Sequence, residues 1–553
     1  MTTKRTGGRI LVDNLVAQGC DRIFTVPGES FLAVLDALHD VPRIEVVVCR
    51  QEGGVGFMAC ADGKLTGRPG IAFVTRGPGA TNASIGVHVA MQDSLPMILF
   101  VGDVARGDRD REAFQEVDFG QMFGPLAKKV LRIDRAERIP EYTARAYATA
   151  MSGRPGPVVV VLPEDMLLDQ VEAVDRPRVE PAVPSDCLIP SFKVSELLAR
   201  SKRPIAIIGG ADWDDEAGEL FAKWAEAAGV PVATAFRRQD SIKSSSASFA
   251  GNLGYGPNPK LVQRIKGADL LLVIGPRLGE ATTDGYTLIE PDHPGQTLLH
   301  VHPDPEELNS VFRADHAVCS GARHFAFTLG GAAEDWPEQA KHQSGPAAHA
   351  EWLDWSTPKP REGARLDLGQ CVLAMREAMP ADTIICNGAG NFSGWWHRYW
   401  RYEGYGTQLA PTAGAMGFGV PAAVAAALRR PEQKVVAVAG DGDFLMNGQE
   451  LATAVAHGCD MLVIVVDNGW YGTIRMHQER EYPGRVSGTR LHNPDFAALA
   501  CAFGGWAETV ETTDQFAPAL ARALEQPGVK LLHLKTDVEQ ISPALTISQL
   551  RSR

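Results

Sequence analysis

The stretch that most constrains the fold is "KVVAVAGDGDF", residues 434–444, in which an apolar run is followed at once by two glycines and two carboxylates. A run this apolar is typical of a strand in a parallel sheet that is covered by helices on both faces. Glycine and aspartate after such a strand are common in a turn that leads into a helix, and this simple interpretation competes with a metal site at Asp441.

Short runs rich in Val and Ile recur along the chain and alternate with helical stretches. They predict strands at 43–49, 70–75, 97–102, 157–163, 204–210, 270–275, 434–440 and 461–468. This alternation predicts an α/β protein built from doubly wound parallel sheets. In such sheets ligands bind at the carboxyl ends of the strands, where the strand order reverses.

Two polar, proline-containing stretches, 175–186 and 330–364, are typical of linkers. Cutting the chain there predicts three domains, at 1–180, 187–335 and 360–553, and each has an ordinary domain size. Each of the three is expected to contain one doubly wound parallel sheet.

Composition excludes several classes of protein. The chain has 553 residues, 45% of them hydrophobic, and a net charge of −13 without a long basic run, which argues against nucleic acid and anionic membranes as partners. No uninterrupted apolar run reaches the ~18 residues of a membrane span, and the N-terminal segment lacks the apolar core of a signal peptide. The nine cysteines form no CxxC pair, which predicts neither a disulfide framework nor a zinc site and makes the cytoplasm the expected compartment.

Polar residues end two consecutive predicted strands. Asp441 follows one of them, and Asn468, 27 residues later, is the last residue of the next. The ends of neighbouring parallel strands meet at one edge of a sheet, and a carboxylate, an amide oxygen and a nearby carbonyl suit Mg²⁺ or Ca²⁺ with a diphosphate. Gly440 and Gly442 would let the backbone approach the phosphates. Taken alone, "DNG" at 467–469 is more simply a turn.

This pair of strand ends resembles the signature of thiamine diphosphate-dependent enzymes, in which GDG is followed at the same spacing by Asn. The resemblance implies that Asp441, Asn468 and the carbonyl of Trp470 bind Mg²⁺. It extends over nearly the full length of the chain. The segment "GAMGFGVPAAVAAAL", 414–428, is similar to the acetolactate synthase segment whose methionine, here Met416, supports the bent cofactor.

Three further segments resemble the family's cofactor-binding loops. "VCRQEGGVGFMACADG", 48–63, implies that Glu52 is the glutamate that hydrogen-bonds the pyrimidine ring, although a lone glutamate there is also favoured by the helix dipole. "VTRGPGATNASIGVHVAMQDSLPMILFVGDV", 74–104, and "CNGAGNFSGWW", 386–396, are similar to the loops beside the pyrimidine and the diphosphate. The cofactor contacts implied by the resemblance are Pro27, Gly28, Glu52, Gly77, Asn82, Gly388, Ala389, Gly390, Asn391, Gly414, Met416, Gly440, Asp441, Gly442, Asp443, Asn468, Trp470, Tyr471 and Gly472.

Substrate-pocket residues are implied by two segments. "REAFQEVDFGQMFGPLAKKVLRI", 111–133, is similar to an acetolactate synthase segment and implies Phe114, Gln115 and Lys128. In "GTIRMHQ", 472–478, His477 stands where biosynthetic acetolactate synthases have a tryptophan that shapes the acceptor pocket, and a histidine there could serve as an acid or base. The implied catalytic residues are Glu52, Gln115, Met416 and His477.

Flavin binding is left open by the middle of the chain. The segment "GPRLGEATT", 275–283, keeps Arg277 of the FAD-binding pattern of acetolactate synthases but lacks its paired aspartates. FAD would be structural if present, because the implied chemistry needs no redox step.

The resemblance implies a thiamine diphosphate- and Mg²⁺-dependent, acetolactate synthase-like enzyme. It would decarboxylate pyruvate or a related 2-oxo acid and join the acyl group to a carbonyl acceptor, so its partners are small molecules. The alternatives are a 2-oxo acid decarboxylase or 2-hydroxyacyl C–C lyase of the same family and, from another class, a flavin-dependent oxidoreductase.

The resemblance also implies roles for the three predicted domains and an assembly. The first would bind the pyrimidine, the second would be a central Rossmann-like domain, and the third would bind the diphosphate. In the family the first and third domains of different subunits form each active site, so a homodimer or a dimer of dimers, that is, a homotetramer, is expected.

Overall fold

A computed structural model describes residues 4–182 and 191–552 of the chain. Contacts divide the chain into two units, the first made of Met1–Ala182, Gly417–Pro431 and Leu445–Cys459, and the second of Val183–Met416, Glu432–Phe444 and Asp460–Arg553. Part of the first predicted linker, Cys187 and the start of the predicted central domain lie outside the described residues.

The first unit is built on a six-stranded parallel sheet with the order β3-β2-β4-β5-β7-β6. The strands of this region are β1 (Arg5–Thr6), β2 (Arg22–Thr25), β3 (Glu45–Val48), β4 (Gly70–Val74), β5 (Met97–Asp103), β6 (Lys129–Arg132), β7 (Pro157–Pro163) and β8 (Gln170–Val171), and its helices are α1 (Gly7–Ala17), α2 (Leu32–His39), α3 (Glu52–Thr66), α4 (Pro78–Asp93), α5 (Phe119–Phe123) and α6 (Ile139–Met151). Every residue of β4, β5 and β7 is buried, as expected for central strands covered on both faces. The strand order reverses between β2 and β4, so the loops that follow these two strands meet.

The second unit contains two further six-stranded parallel sheets, of which the first has the order β11-β10-β9-β12-β13-β14. Its strands are β9 (Pro204–Ile208), β10 (Val232–Thr234), β11 (Phe249–Asn252), β12 (Leu270–Ile274), β13 (Thr297–His302) and β14 (His316–Cys319), with helices α7 (Ser191–Arg200), α8 (Asp215–Ala228), α9 (Pro259–Lys266), α10 (Ala322–Gly331) and α11 (Ser344–Trp355). Helix α11 lies inside the stretch predicted as the second linker. Its Trp352 is 2% exposed and packs edge-on against Phe249 of β11, with ring centroids 4.6 Å apart.

The third sheet has the order β16-β15-β17-β18-β20-β19. The C-terminal part of the chain supplies strands β15 (Ile384–Asn387), β16 (Gln408–Leu409), β17 (Val435–Gly440), β18 (Met461–Asp467), β19 (Trp506–Val510) and β20 (Val529–Lys535), and helices α12 (Leu368–Ala378), α13 (Ser393–Tyr399), α14 (Gly419–Arg429), α15 (Asp441–Asn447), α16 (Leu451–Ala456), α17 (Gly472–Glu481), α18 (Phe496–Ala502), α19 (Thr513–Glu525) and α20 (Ile547–Arg551). The order reverses between β15 and β17. Three parallel sheets with helices confirm the predicted α/β fold class.

Helices α14 and α16 belong to the first unit although they lie far along the chain. Arg429, at the end of α14, donates to both carboxylate oxygens of Asp62 on α3 at 2.7 and 3.1 Å, and also to Asp21. Asp62 is only 5% exposed, so its charge depends on this guanidinium. Over residues 4–182 and 191–552, no helix is both long and apolar enough to span a bilayer.

Candidate active site

A cavity of about 260 Å³ opens at the carboxyl edge of the third sheet, where the order reverses between β15 and β17. Of the residues predicted from the sequence, it is lined by Ala389, Gly390, Asn391, Gly414, Met416, Gly440, Asp441, Gly442, Asp443, Asn468, Trp470, Tyr471 and Gly472. Lining residues that sequence reasoning missed include Thr473, Ile474, Gln540 and Ile541. No local pattern marks these four, because they follow from how α17 and the segment before α20 fold over the strand ends.

Asp441 is the first residue of α15 and is only 3% exposed. Its Oδ2 accepts hydrogen bonds from the backbone N–H of Gly469 at 2.9 Å and from Nδ2 of Asn493 at 2.7 Å. Burial, reinforced by the nearby carboxylate of Asp467, raises the pKa of Asp441 above its ordinary value. A buried carboxylate in this position is a good ligand for a cation, because a bound cation would favour its charged form.

Asp467, the last residue of β18, lies beside Asp441 and accepts hydrogen bonds from two side chains of β20. Its Oδ2 accepts from Nε2 of His533 at 2.9 Å and from Nζ of Lys535 at 2.6 Å. Burial opposes ionisation, but the hydrogen bonds from His533 and Lys535 outweigh it and hold the pKa of Asp467 well below its usual range. The pKa of Asp467 therefore lies below that of Asp441, and Asp467 stays ionised to lower pH.

The loop after β18 carries the other two predicted metal ligands. Gly469 has φ +73°, a left-handed conformation that favours glycine, and the Asn468 side chain accepts from the N–H of Trp470 at 3.0 Å. The N–H of Tyr471 donates to the Thr489 carbonyl at 2.8 Å, which ties the loop to a neighbouring segment. The loop is thus fixed by backbone bonds next to Asp441.

Side chains pack closely against two glycines in and beside the cavity wall. A Cβ on Gly388 would lie 2.1 Å from Oδ1 of Asp443, and a Cβ on Gly442 would lie 2.5 Å from the Tyr471 ring. The N–H of Ala389 donates to Oδ1 of Asp443 at 3.1 Å. The donor set of carboxylate, amide and carbonyl oxygens fits a hard divalent cation, and the glycine-rich backbone beside it fits a phosphate group.

Asn391 joins the loop after β15 to the rim of the cavity. Its backbone N–H donates to Oγ1 of Thr473 at 3.0 Å, and its Nδ2 donates to the carbonyl of Ile541 at 2.9 Å. Met416 is half-buried in the wall of the same cavity. An apolar side chain in this wall could support a ring of a bound cofactor.

The remaining cofactor contacts predicted from the sequence lie in the first unit. Glu52 is the first residue of α3, is partly exposed, and accepts from Nδ2 of Asn82 at 2.9 Å. Gly28 meets the loop after β4, because a Cβ on it would lie 2.4 Å from Cβ of Thr75, whereas the adjacent Pro27 is exposed. The loops after β2 and β4 therefore meet where the strand order reverses, and the cofactor contacts in them stay predictions.

Glu450, which sequence reasoning missed, anchors the segment just before Glu52. Its carboxylate is fully buried and accepts from the N–H groups of Arg50 and Gln51, each at 3.0 Å, and from Oγ1 of Thr453 at 2.6 Å. Since Glu450 lies some 400 residues along the chain from Arg50, only the fold brings the two together.

The predicted substrate-pocket residues occupy three different environments. The backbone of Gln115 packs on the loop after β4, since a Cβ on Gly77 would lie 2.7 Å from the carbonyl oxygen of Gln115. Phe114, the residue before Gln115, is 72% exposed. The Lys128 ammonium donates to the backbone carbonyls of Ser152 and Arg154. His477 is exposed on α17, with its Nδ1 2.8 Å from Nη2 of Arg480. The pocket roles of these residues stay predictions.

The central sheet is tightly packed where its order reverses between β9 and β12. The Trp213 indole N–H donates to the Gly209 carbonyl at 2.6 Å, and a Cβ on Gly210 would lie 2.3 Å from the carbonyl oxygen of Gly275. Arg277, the residue kept from the flavin-binding pattern, donates to Glu307 at 3.0 Å. These contacts do not test flavin binding, which the sequence leaves open.

Comparison with known protein families covers most of the chain. Residues 5–122 match the N-terminal TPP binding domain of thiamine pyrophosphate enzymes, residues 193–329 match the central domain of these enzymes, and residues 388–534 match their C-terminal TPP binding domain. The order of the three matches follows the order of the three sheets.

Similar proteins include large subunits of acetolactate synthase from several bacteria. The chain is 29% identical to that of Corynebacterium glutamicum, over 94% of this chain and 85% of the relative. It is 29% identical to the isozyme 2 large subunit of Escherichia coli, with 97% of each chain covered. It is 31% identical to the large subunit of Parasynechococcus marenigrum, over 94% of this chain and 86% of the relative.

Proposed function

The chain belongs to the thiamine pyrophosphate enzyme family, and on that premise we propose that it is a Mg²⁺-dependent, acetolactate synthase-like enzyme. It decarboxylates pyruvate or a related 2-oxo acid and transfers the acyl group to a carbonyl acceptor. The observation that supports this most strongly is the buried Asp441 carboxylate beside Asn468 and Trp470 in the wall of one cavity.

Each group of residues around that cavity has a proposed task. Asp441, Asn468 and the carbonyl of Trp470 bind Mg²⁺, and the backbone of residues 388–391 and 440–443 holds the diphosphate. Met416 supports the cofactor from the wall of the cavity. When bound, the thiazolium ring of the cofactor supplies the electron sink that decarboxylation requires.

Glu52 is the proposed acid–base residue, and Asn82 fixes it. The hydrogen bond from Nδ2 of Asn82 to Oε2 leaves the other carboxylate oxygen of Glu52 to exchange a proton with a pyrimidine nitrogen. We assign the pyrimidine-binding, central and diphosphate-binding roles to residues 1–180, 187–335 and 360–553. The proposed assembly is a homodimer or a dimer of dimers, in which Glu52 of one protomer serves the Asp441 site of its partner.

Product analysis tests the proposed reaction. The purified protein, supplied with thiamine pyrophosphate and Mg²⁺, is incubated with a panel of 2-oxo acids with and without aldehyde or ketone acceptors, and the products are identified by NMR. A 2-hydroxyketone product with release of CO₂ is expected. Simple aldehydes as the only products would indicate the decarboxylase alternative, and no turnover of any 2-oxo acid would contradict the proposal.

The acceptor is the least constrained part of this function. His477 stands where related synthases have a tryptophan, and in the structure it is exposed rather than part of the cavity wall, whereas Ile474 of the same helix lines the cavity. We therefore include acceptors larger than pyruvate in the panel. FAD is not required by the proposed reaction, and the presence or absence of flavin absorbance in the purified protein decides that separate question.

A further inference from the structure

We propose that Asn493 is a positioning residue that orients the Asp441 carboxylate for the divalent cation, an inference that rests on the proposed function of Asp441. Asn493 lies in the segment that leads into α18 and is far from both GDG and Asn468 in sequence. Its Nδ2 is 2.7 Å from Oδ2 of Asp441 and 2.7 Å from Oδ1 of Asp467. One amide group therefore bridges two buried carboxylates.

The Asn493 amide is one of two groups that donate to both Asp441 and Asp467. The N–H of Gly469 donates to the same two oxygens, at 2.9 Å to Asp441 and 3.0 Å to Asp467. Two carboxylates this close repel each other, and shared donors offset that repulsion. Because the Gly469 donor belongs to the backbone, Asn493 is the member of the pair that a substitution removes.

Asp467, one of the two carboxylates bridged by Asn493, is itself held in place by side chains of β20. His533 and Lys535, both on β20, bind its other oxygen and hold it in place. Phe496, which follows Asn493 by three residues, is fully buried and packs edge-on against the His533 ring at 5.0 Å. The position of the Asn493 amide is therefore set by the packing of α18 against β20.

This arrangement has a consequence for metal binding. With Oδ2 of Asp441 engaged by two donors, the carboxylate is held in one orientation, in which it would bind a cation. Without the Asn493 amide, Asp441 is free to turn away from the repulsion of Asp467. Loss of a residue that orients a ligand typically weakens metal binding by about 10- to 100-fold, and we expect this range for Asn493→Leu.

The test measures Mn²⁺ binding by EPR at saturating thiamine pyrophosphate, with the intact protein. Asn493→Leu removes both hydrogen bonds of the Asn493 amide and keeps a side chain of similar size. Asn493→Ser retains one weaker donor, its hydroxyl. Asn258→Leu is the matched control, because it removes a buried amide that caps α9 in the same unit, and it should lower the melting temperature without changing the Mn²⁺ affinity. Asp441→Ala serves as the reference for loss of the site.

The expected order of Mn²⁺ affinity is wild type and Asn258→Leu, then Asn493→Ser, then Asn493→Leu. The EPR spectrum of bound Mn²⁺ in Asn493→Leu should also differ from that of the wild type, because the carboxylate ligand is reoriented. Wild-type affinity and an unchanged spectrum in a folded Asn493→Leu would overturn the inference. If that variant does not fold, wild-type affinity in Asn493→Ser would overturn it.

The reference variant separates this inference from the proposed function. If Asp441→Ala binds Mn²⁺ as the wild type does, Asp441 is not a ligand, and the proposed metal site and the role of Asn493 fail together. If Asp441→Ala loses binding while both Asn493 variants keep it, only the role of Asn493 fails.

Discussion

Glu450 lies directly before α16. Its replacement tests whether this residue holds the segment that carries Glu52. Glu450→Leu removes the acceptor of two backbone N–H groups, those of Arg50 and Gln51, each 3.0 Å from Oε1. A buried donor left without a partner costs about 1–3 kcal/mol, so the two together cost about 2–6 kcal/mol. Glu450 is fully buried, so removing its carboxylate also relieves the cost of desolvating that group, and we expect about 3 kcal/mol, in the lower part of this range.

Glu450→Gln is the matched variant, because its amide oxygen can replace Oε1 while its NH₂ group faces Oγ1 of Thr453. The assay is amide hydrogen exchange, read by mass spectrometry on the peptide that contains residues 50–54. A local loss of about 3 kcal/mol accelerates exchange from the folded state about 100-fold, and Glu450→Gln should show a much smaller change. Thr453→Val, which keeps the acceptor, should leave exchange of this peptide nearly unchanged.

Activity should follow the same order, because Glu52 begins α3 immediately after the anchored residues. Glu450→Leu should lower kcat while Mn²⁺ binding at Asp441 stays at the wild-type level. Equal exchange rates in Glu450→Leu and Glu450→Gln would show that Glu450 does not anchor residues 50 and 51 as an acceptor, since the two variants differ in whether an acceptor for Arg50 and Gln51 remains.

Two further predictions concern stability. Gly56→Ala should destabilise the protein by about 1–3 kcal/mol, as overpacking typically does, because its Cβ would lie 2.8 Å from Cα of Gly86 on α4, whereas Gly107→Ala, which meets nothing within 4 Å, should be neutral in thermal unfolding. Arg551 holds the pKa of Glu479 down to about 2 from 4.5, so this pair stabilises the docking of α20 on α17 above pH ~4.5 and loses that contribution as the pH falls towards 2. Arg551→Met should abolish that pH dependence in limited proteolysis of the C-terminus, and an unchanged acid-induced release of α20 in this variant would show that the pair is not its cause.

The strands were predictable where they are apolar on both faces. The predicted runs at 97–102 and 157–163, for example, coincide with β5 and β7, whose residues are all buried. Helix α11 was hidden in a predicted linker, because its first turn contains Gly345 and Pro346 and the apolar residues before Trp352 follow no regular helical spacing. Without that spacing the sequence does not reveal the buried face.

The candidate site was predictable where local sequence and sheet geometry agree. Asp441 and Asn468 directly follow neighbouring parallel strands, and the register of β17 with β18 places these strand ends together. Asn493 and Glu450 could not be found in this way, because each reaches its partners through a contact between distant segments. Asn and Glu are also ordinary residues of turns and helix ends, so neither stands out by type.

Membership of α14 and α16 in the first unit was equally invisible in the sequence. The linear division into 1–180, 187–335 and 360–553 assigns both helices to the last domain, whereas contacts such as those of Arg429 with Asp62 place them with the first unit. A division by composition assigns each segment to the same domain as its neighbours along the chain. It therefore cannot detect that two late segments, 417–431 and 445–459, pack with the first unit.

In the proposed dimer, Asp441 of one protomer and Glu52 of its partner act on the same bound cofactor. Glu52→Gln and Asp441→Ala are each expected to be inactive alone, and the measurement is the activity of hybrids formed by mixing them. An equal mixture should regain about a quarter of the wild-type activity, because half of the dimers are hybrids and each hybrid has one intact site. Hybrids that are shown by differential tags to form, yet stay as inactive as their parents, would contradict the account.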